Sequence, residues 1–155
     1  MVGRYDTVSG SFYGFELSGS TYAGIKPPNA ARSMANGISD AGVIAGSVPR
    51  SIHSINFLAK EGTYKKAAIP GVSNPTLEGI NPEGTALVGY FSSRDGANSA
   101  AFLWRNNATQ VLAYPGSSSS AAYGVNSLGV VVGIFYDDLF HIHGFTWTAP
   151  TLHEQ

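Results

Sequence analysis

The sequence is dominated by one repeated pattern. A short apolar strand ends in Gly-Ile or Gly-Val, four turn residues follow, and a β-branched strand then ends in Gly; the pattern occupies residues 36–46, 78–89 and 123–133. Each four-residue turn begins with Ser or Asn and ends with Gly, which suits a type I turn followed by a left-handed residue. The pattern therefore predicts three β-hairpins, with Gly42, Gly84 and Gly129 in left-handed conformations.

Two series of residues extend the repeat to four units. Glycines recur every 43 or 44 residues and phenylalanines keep the same spacing, at Gly3, Gly46, Gly89 and Gly133 and at Phe15, Phe57, Phe102 and Phe145. Each unit holds about four short strand-like segments and no helical stretch, so the chain is expected to be all-β. The units are residues 1–30, 31–73, 74–118 and 119–155, which together form one repeat domain.

A period in the forties with four strands is typical of a propeller blade. One four-stranded sheet cannot bury both faces alone, so it packs against its neighbours around an axis. We predict about fifteen strands in four sheets, arranged as a small four-bladed β-propeller. A β-sandwich is the alternative, although a sandwich does not require sequence repetition.

The two ends of the chain do not match the repeat. The chain enters at a second strand, Val2–Tyr5, and leaves at the opening of a fourth strand, Thr151–Gln155. One blade is thus expected to lack its first strand and to expose an unpaired edge, which invites pairing with a second chain. We predict a homodimer through this incomplete blade; a folded-back C-terminal tail or a fragment of a longer array are the alternatives.

Composition narrows the classes of partner. Charged residues make up 12% and the net charge is −1, so no basic surface indicates a nucleic-acid partner. With no cysteine, disulfides and thiolate metal sites are excluded. No apolar run approaches the roughly 20 residues of a membrane helix, and no secretory signal is recognisable in this chain.

The units resemble the HAF repeat family of bacterial extracellular proteins. The residues that carry this resemblance are Gly79-Ile80-Asn81, Gly124-Val125-Asn126, Val131-Val132-Gly133, Ala101–Trp104 and His143–Trp147. The histidine of the family pattern is kept only at His143, because Tyr13, Ile55 and Ala100 replace it elsewhere. The resemblance implies a secreted or surface-associated, propeller-like protein, and it brings no agreed reaction, cofactor or ligand.

One segment has residues suited to metal or acid–base chemistry. His141 and His143 alternate along a strand and therefore share a face, close to Asp137 and Asp138. These side chains are the weak candidates for a metal site and the basis of an alternative function, a hydrolase or metal-dependent enzyme. The competing interpretation treats them as ordinary strand and turn residues, and on that interpretation we expect no catalytic residue, no cofactor and no tightly bound metal.

The aromatic residues fall into two groups. Repeated ones, including Trp104 and Trp147 two residues after their phenylalanines, are expected to pack between blades. Non-repeated ones lie in or beside the loops that follow the repeat glycines, and they are the candidate ligand-binding residues: Tyr5, Tyr90, Phe91, Phe135, Tyr136 and Phe140. Aromatic loops with little charge suit carbohydrates, peptides or small ligands. The sequence therefore favours a non-catalytic binding or scaffold module, with hydrolase and structural dimerisation module as alternatives.

Overall fold

The protein is an all-β chain of short antiparallel strands. A computed structural model describes residues 1–51, 53–92 and 98–148, and this part of the chain contains fourteen strands and no helix. The strands are β1 (Val2–Asp6), β2 (Phe12–Ser18), β3 (Thr21–Ile25), β4 (Met34–Ile38), β5 (Ile44–Pro49), β6 (Ser54–Lys60), β7 (Thr63–Lys66), β8 (Pro75–Ile80), β9 (Ala86–Ser92), β10 (Ser99–Arg105), β11 (Ala108–Val111), β12 (Ser119–Val125), β13 (Val131–Tyr136) and β14 (Ile142–Trp147). In the described segments, no helix is long and apolar enough to cross a membrane.

The strands form four separate sheets in chain order, each a simple meander. Blade 1 is β1–β3, blade 2 is β4–β7, blade 3 is β8–β11 and blade 4 is β12–β14. This succession of small sheets is a propeller-type arrangement, so the predicted fold class is confirmed and the two-sheet sandwich is wrong. Among the described residues, blade 1 lacks the first strand that begins each of the other three, as the sequence predicted. The fourth strand that the sequence predicts to open at Thr151–Gln155 lies outside the described residues.

Strand register explains why the two repeated series keep the same spacing. In every blade the repeat glycine lies directly opposite the repeat phenylalanine: Gly3↔Phe15, Gly46↔Phe57, Gly89↔Phe102 and Gly133↔Phe145. The aromatic ring lies across the glycine, so that a Cβ added at Gly133 would lie 2.7 Å from the Phe145 ring. The glycine is therefore needed for the close approach of this ring.

The turns between the first and second strands have the predicted conformation. Gly42, Gly84 and Gly129 have φ angles of 76°, 75° and 77°, which an L-residue with a Cβ adopts only under strain. The polar residue that opens each turn caps it: the side-chain oxygen of Asn126, for example, accepts hydrogen bonds from the backbone N–H groups of Leu128 and Val130 at 3.0 and 2.9 Å. The predicted turn assignment is confirmed.

A bulge interrupts the first strand of each complete repeat. The register shifts between Ala35 and Gly37, between Leu77 and Gly79, and between Ala122 and Gly124. The bulged residues are therefore Asn36, Glu78 and Tyr123. Such bulges redirect side chains and are retained features of a strand rather than defects.

The core consists of three apolar clusters, one between each pair of successive blades. Trp104 packs with Phe102 in the cluster between blades 2 and 3, and Trp147 packs with Phe145 in the cluster between blades 3 and 4, as predicted. Strand contacts of similar extent do not join blade 4 to blade 1 among the described residues. In the described part of the chain the four sheets thus form an arc, whose two end faces on blades 1 and 4 do not pack against each other, whereas a four-bladed propeller was expected to close into a ring.

Candidate functional site

The meander order brings the variable loops together at one end of the blades. Because successive strands are antiparallel, the second strands of the four blades all end on one side of the protein, and so do the fourth strands that lead to the next blade. The second strands are β1, β5, β9 and β13, and the fourth strands are β3, β7 and β11. We call this end of the blades the loop end. All six aromatic binding candidates lie in these loops or in the last residues of the strands that enter them.

The loop after β13 is a tightly hydrogen-bonded turn. The N–H of Phe140 donates to the carbonyl of Asp137, and the N–H of Asp137 donates to the carbonyl of His141, both at 3.1 Å. Asp137 Oδ1 also accepts from the N–H groups of Leu139 and His141 at 2.9 and 2.8 Å. These four bonds fix the turn and the position of the residue at its end, Phe140.

The same four bonds occur in the turn at residues 126–130, where Gly129 takes the place of Phe140. The corresponding loop of blade 1, residues 7–11, has a related turn with Gly10 at that place. Gly129 and Gly10 have φ of 77°, whereas Phe140 has φ of 62° and is 76% exposed. A bulky residue in the left-handed region is uncommon and strained, and strain of this kind clusters at functional sites.

Phe140 stands at the edge of an open cleft between blades 3 and 4. The cleft has a volume of about 240 Å³ and is lined by Asn98, Ser99, Ser118, Ser119, Tyr136 and Phe140. One bond joins its two sides: the N–H of Ser99 in blade 3 donates to Ser119 Oγ in blade 4 at 3.1 Å. Within blade 4, the N–H of Ser118 donates to the Tyr136 carbonyl at 2.9 Å. The cleft thus combines two aromatic rings, of which Phe140 projects, with hydroxyl and amide groups, and none of the described residues that line it is charged.

Asp137 connects this turn to both candidate histidines. Its Oδ2 atom lies 3.1 Å from His141 Nδ1 and 3.0 Å from His143 Nε2. The bond from His143, reinforced by the bonds from His141 and Leu139, holds the pKa of Asp137 well below its usual range. The structure therefore brings Asp137, His141 and His143 together around one carboxylate.

This arrangement does not present a metal site. Both imidazoles point a nitrogen at the Asp137 carboxylate, and among the described residues no group of three or more His, Asp or Glu side chains is placed to hold a metal ion. Asp138 is exposed in the same turn. The geometry is that of a carboxylate which braces a turn and orients two rings.

A stack of three rings lies beside the turn. Tyr114, in the crossing from blade 3, stacks on Phe135 with ring centroids 3.8 Å apart and planes 8° apart. Phe135 stacks in turn on His143, its cross-strand partner, at 5.0 Å. The stack fixes the position of His143, and through Asp137 it supports the turn that carries Phe140.

The remaining three aromatic candidates lie outside the cleft and outside the ring stack. Phe91 packs against the cluster between blades 2 and 3, so it contributes to the core instead of a free aromatic surface. Tyr5 lies on blade 1, where it lines an open depression of about 370 Å³ on the uncovered face. Tyr90 is half-buried on the side of β9 that faces blade 4, near Tyr123.

Sequence reasoning missed one titratable group, the bulged residue Glu78. Burial raises the pKa of Glu78 to about 7, and burial together with the charges of Glu78, Tyr90 and Tyr136 raises the pKa of Tyr123. In blade 2 the same bulge position holds Asn36, whose amide donates to the Leu77 carbonyl at 2.6 Å. Comparing these equivalent positions in the sequence shows one acid where the other units have neutral residues.

Comparisons with known proteins agree on the fold alone. No family model and no curated protein matches the chain, whereas eleven chains of solved structures do. A putative TolB from Agrobacterium tumefaciens superposes with a TM-score of 0.69 at 14% identity, covering 94% of this chain and 56% of that one. TolB from Acinetobacter baumannii superposes at 0.61 and 15% identity, covering 91% and 36%.

The chain thus spans about half or less of the length of these two structures. Their similarity assigns the protein to β-propeller-like folds.

Proposed function

We propose that the protein is a non-catalytic binding module whose loop end recognises a carbohydrate through Phe140 and the adjacent cleft. The observation that carries the proposal is the exposed Phe140 ring at a position where two equivalent turns of the same chain use glycine. The strained Phe140 side chain contributes little to the core, so packing does not offset the free-energy cost of its left-handed backbone. A role in ligand binding would explain why the residue is aromatic.

The chemistry of the cleft favours a hydroxyl-rich ligand. A sugar ring stacks on an aromatic face and exchanges hydrogen bonds with hydroxyl and amide groups. Phe140 and Tyr136 supply the rings, and Ser99 and Ser119 supply the polar lining. The described lining residues carry no charge, so they give no particular affinity for phosphate or for a charged peptide.

The test is binding of cello-, xylo- and chito-oligosaccharides by isothermal titration, with the wild type compared with Phe140→Gly. We expect one class to bind, and we expect the substitution to weaken its binding by about fivefold, because a lost aromatic contact is worth about 1 kcal/mol. The same substitution relieves a left-handed strain of about 1–2 kcal/mol, partly offset by the greater freedom of glycine in the unfolded chain. Phe140→Gly should therefore bind less while melting at the same or a higher temperature.

Leu128→Ala is the matched control. Leu128 is an exposed apolar residue in the equivalent hydrogen-bonded turn of the same blade, at the end opposite the loop end. Its truncation should therefore leave binding unchanged. Binding of peptides and not of oligosaccharides would change the proposed ligand class from carbohydrate to peptide. Equal affinities for the wild type and Phe140→Gly would reject the site itself.

A hydrolase is the alternative that the Asp137–histidine cluster supports. His141 and His143 each pair with the Asp137 carboxylate, as an acid–base residue would, but their side chains are 66% and 46% exposed. No polar group from another blade contacts them among the described residues. Release of reducing ends from the same oligosaccharides, lost in His143→Ala, would favour catalysis over binding. The resemblance to HAF repeats supports a secreted or surface location as part of this proposal.

A further inference from the structure

The three interfaces between blades follow one rule. The residue before the repeat glycine of one blade shares an apolar cluster with the repeat phenylalanine of the next blade. The pairs are Val2 with Phe57, Ala45 with Phe102, and Val88 with Phe145. Each interface is therefore formed by two different faces, which we call the valine face and the phenylalanine face.

The rule leaves one face of each kind uncovered. Blade 4 presents Val132, which is 47% exposed, whereas the equivalent Ala45 and Val88 are fully buried. Blade 1 presents Phe15 and Tyr22 around its open depression. Tyr22 contacts Phe15 as Tyr64 contacts Phe57 inside the structure, with centroids 5.4 and 5.7 Å apart, yet Tyr22 is 68% exposed.

Charge favours the approach of these two faces from different molecules. Residues 1–70 contain seven Lys and Arg against four Asp and Glu, and residues 71–155 contain two against six. Residues 1–70, which include blade 1 and its phenylalanine face, are thus net positive. Residues 71–155, which include blade 4 and its valine face, are net negative. Opposite net charges steer two copies toward a head-to-tail encounter.

We propose that the valine face of blade 4 packs on the phenylalanine face of blade 1 of a second copy, head to tail. Val132 of one molecule would enter the depression beside Phe15 and Tyr22 of the other. Two such contacts close a two-fold ring, whereas a single contact that does not close would extend into a chain of molecules. This arrangement differs from pairing of the two incomplete-blade edges, because the contact joins two different surfaces.

The absence of native cysteine allows a direct test in the full chain. Tyr22→Cys and Val132→Cys are prepared separately, mixed, and treated with a short bifunctional maleimide. We expect cross-linked dimers from the mixture and little cross-linking of either variant alone. Sedimentation of the wild type at micromolar concentration should show a dimer that weakens as salt is raised, because the steering charges are screened.

Val132→Asp should shift sedimentation to the monomer, while Leu128→Asp, at an exposed turn position, should not. Circular dichroism of Val132→Asp verifies that its sheets remain folded. Three results would overturn the proposal: a monomeric wild type, self-cross-linking of one single-cysteine variant, or, in a variant that carries both Tyr22→Cys and Val132→Cys, cross-linking only within one molecule. The second indicates a symmetric edge dimer, and the third indicates closure of the ring within one chain.

Discussion

Glu78 makes the stability of the protein depend on pH in a direction opposite to that of ordinary acid unfolding. Its folded-state pKa is about 7, against 4.5 for an unburied carboxyl. Between these values the native chain keeps a proton that the unfolded chain has released. Because the unfolded state binds fewer protons, the free energy of unfolding falls as pH rises from about 4.5 to about 7.

The size of the effect follows from the shift. One pKa unit corresponds to 1.36 kcal/mol, so the full shift sets a ceiling of about 3 kcal/mol. Glu78 is half-buried, and water that reaches the carboxylate reduces the effect, so we expect about 1–2 kcal/mol. Glu78→Gln carries a neutral amide at all pH values and should be more stable than the wild type by this amount above pH 7.

The assay is urea unfolding of both proteins at several pH values between 4 and 8. The difference between the two curves isolates Glu78, because every other ionisable side chain is the same in both proteins. Glu61→Gln, which changes an exposed carboxylate at a hairpin turn, should follow the wild type throughout. A constant difference between Glu78→Gln and the wild type across this range would refute the claim that burial holds the proton.

Three further outcomes test the fold and the site. Gly129→Val should lower the free energy of unfolding by about 1 kcal/mol or more, because its φ of 77° strains a β-branched residue; an unchanged melting temperature would contradict the turn assignment. Phe102→Ala should cost about 3–5 kcal/mol because the ring is fully buried, and Phe15→Ala on the open face should cost clearly less in the same urea titration. Elemental analysis of protein purified without a histidine tag should find no stoichiometric zinc, whereas zinc at one equivalent would make Asp137, His141 and His143 ligands.

The fold was largely predictable because each repeated residue is required by a local constraint, either close packing between neighbouring strands or the backbone conformation of a turn. Gly133 and Phe145 recur with one spacing since they are cross-strand partners whose close approach excludes a Cβ. Gly84 follows from turn chemistry that needs no tertiary information. The open arc was not predictable, because closure depends on the angle between successive sheets, which no residue pattern specifies.

The site was only partly predictable. Loop position selected Tyr136 and Phe140, which line the cleft at the loop end, but it also selected Phe91, whose strand parity turns the ring toward blade 2. Comparison of Phe140 with Gly10 across equivalent loops would have revealed the strained position from sequence. The raised pKa of Glu78 could not have been read in this way, because it depends on how closely the neighbouring blades bury the bulge.

The central claim, that ligands bind at the loop end beside Phe140, is tested most directly by mapping an oligosaccharide titration onto the backbone amides. Xylo-, cello- and chito-oligosaccharides are added in turn to ¹⁵N-labelled protein, and amide shifts are followed by heteronuclear NMR. The account predicts that perturbed amides cluster at Ser119, Tyr136 and Phe140. Shifts confined to the end of the blades opposite the loop end, at the turns of Gly42 and Gly84, would contradict it. So would the absence of any shift with all three probes.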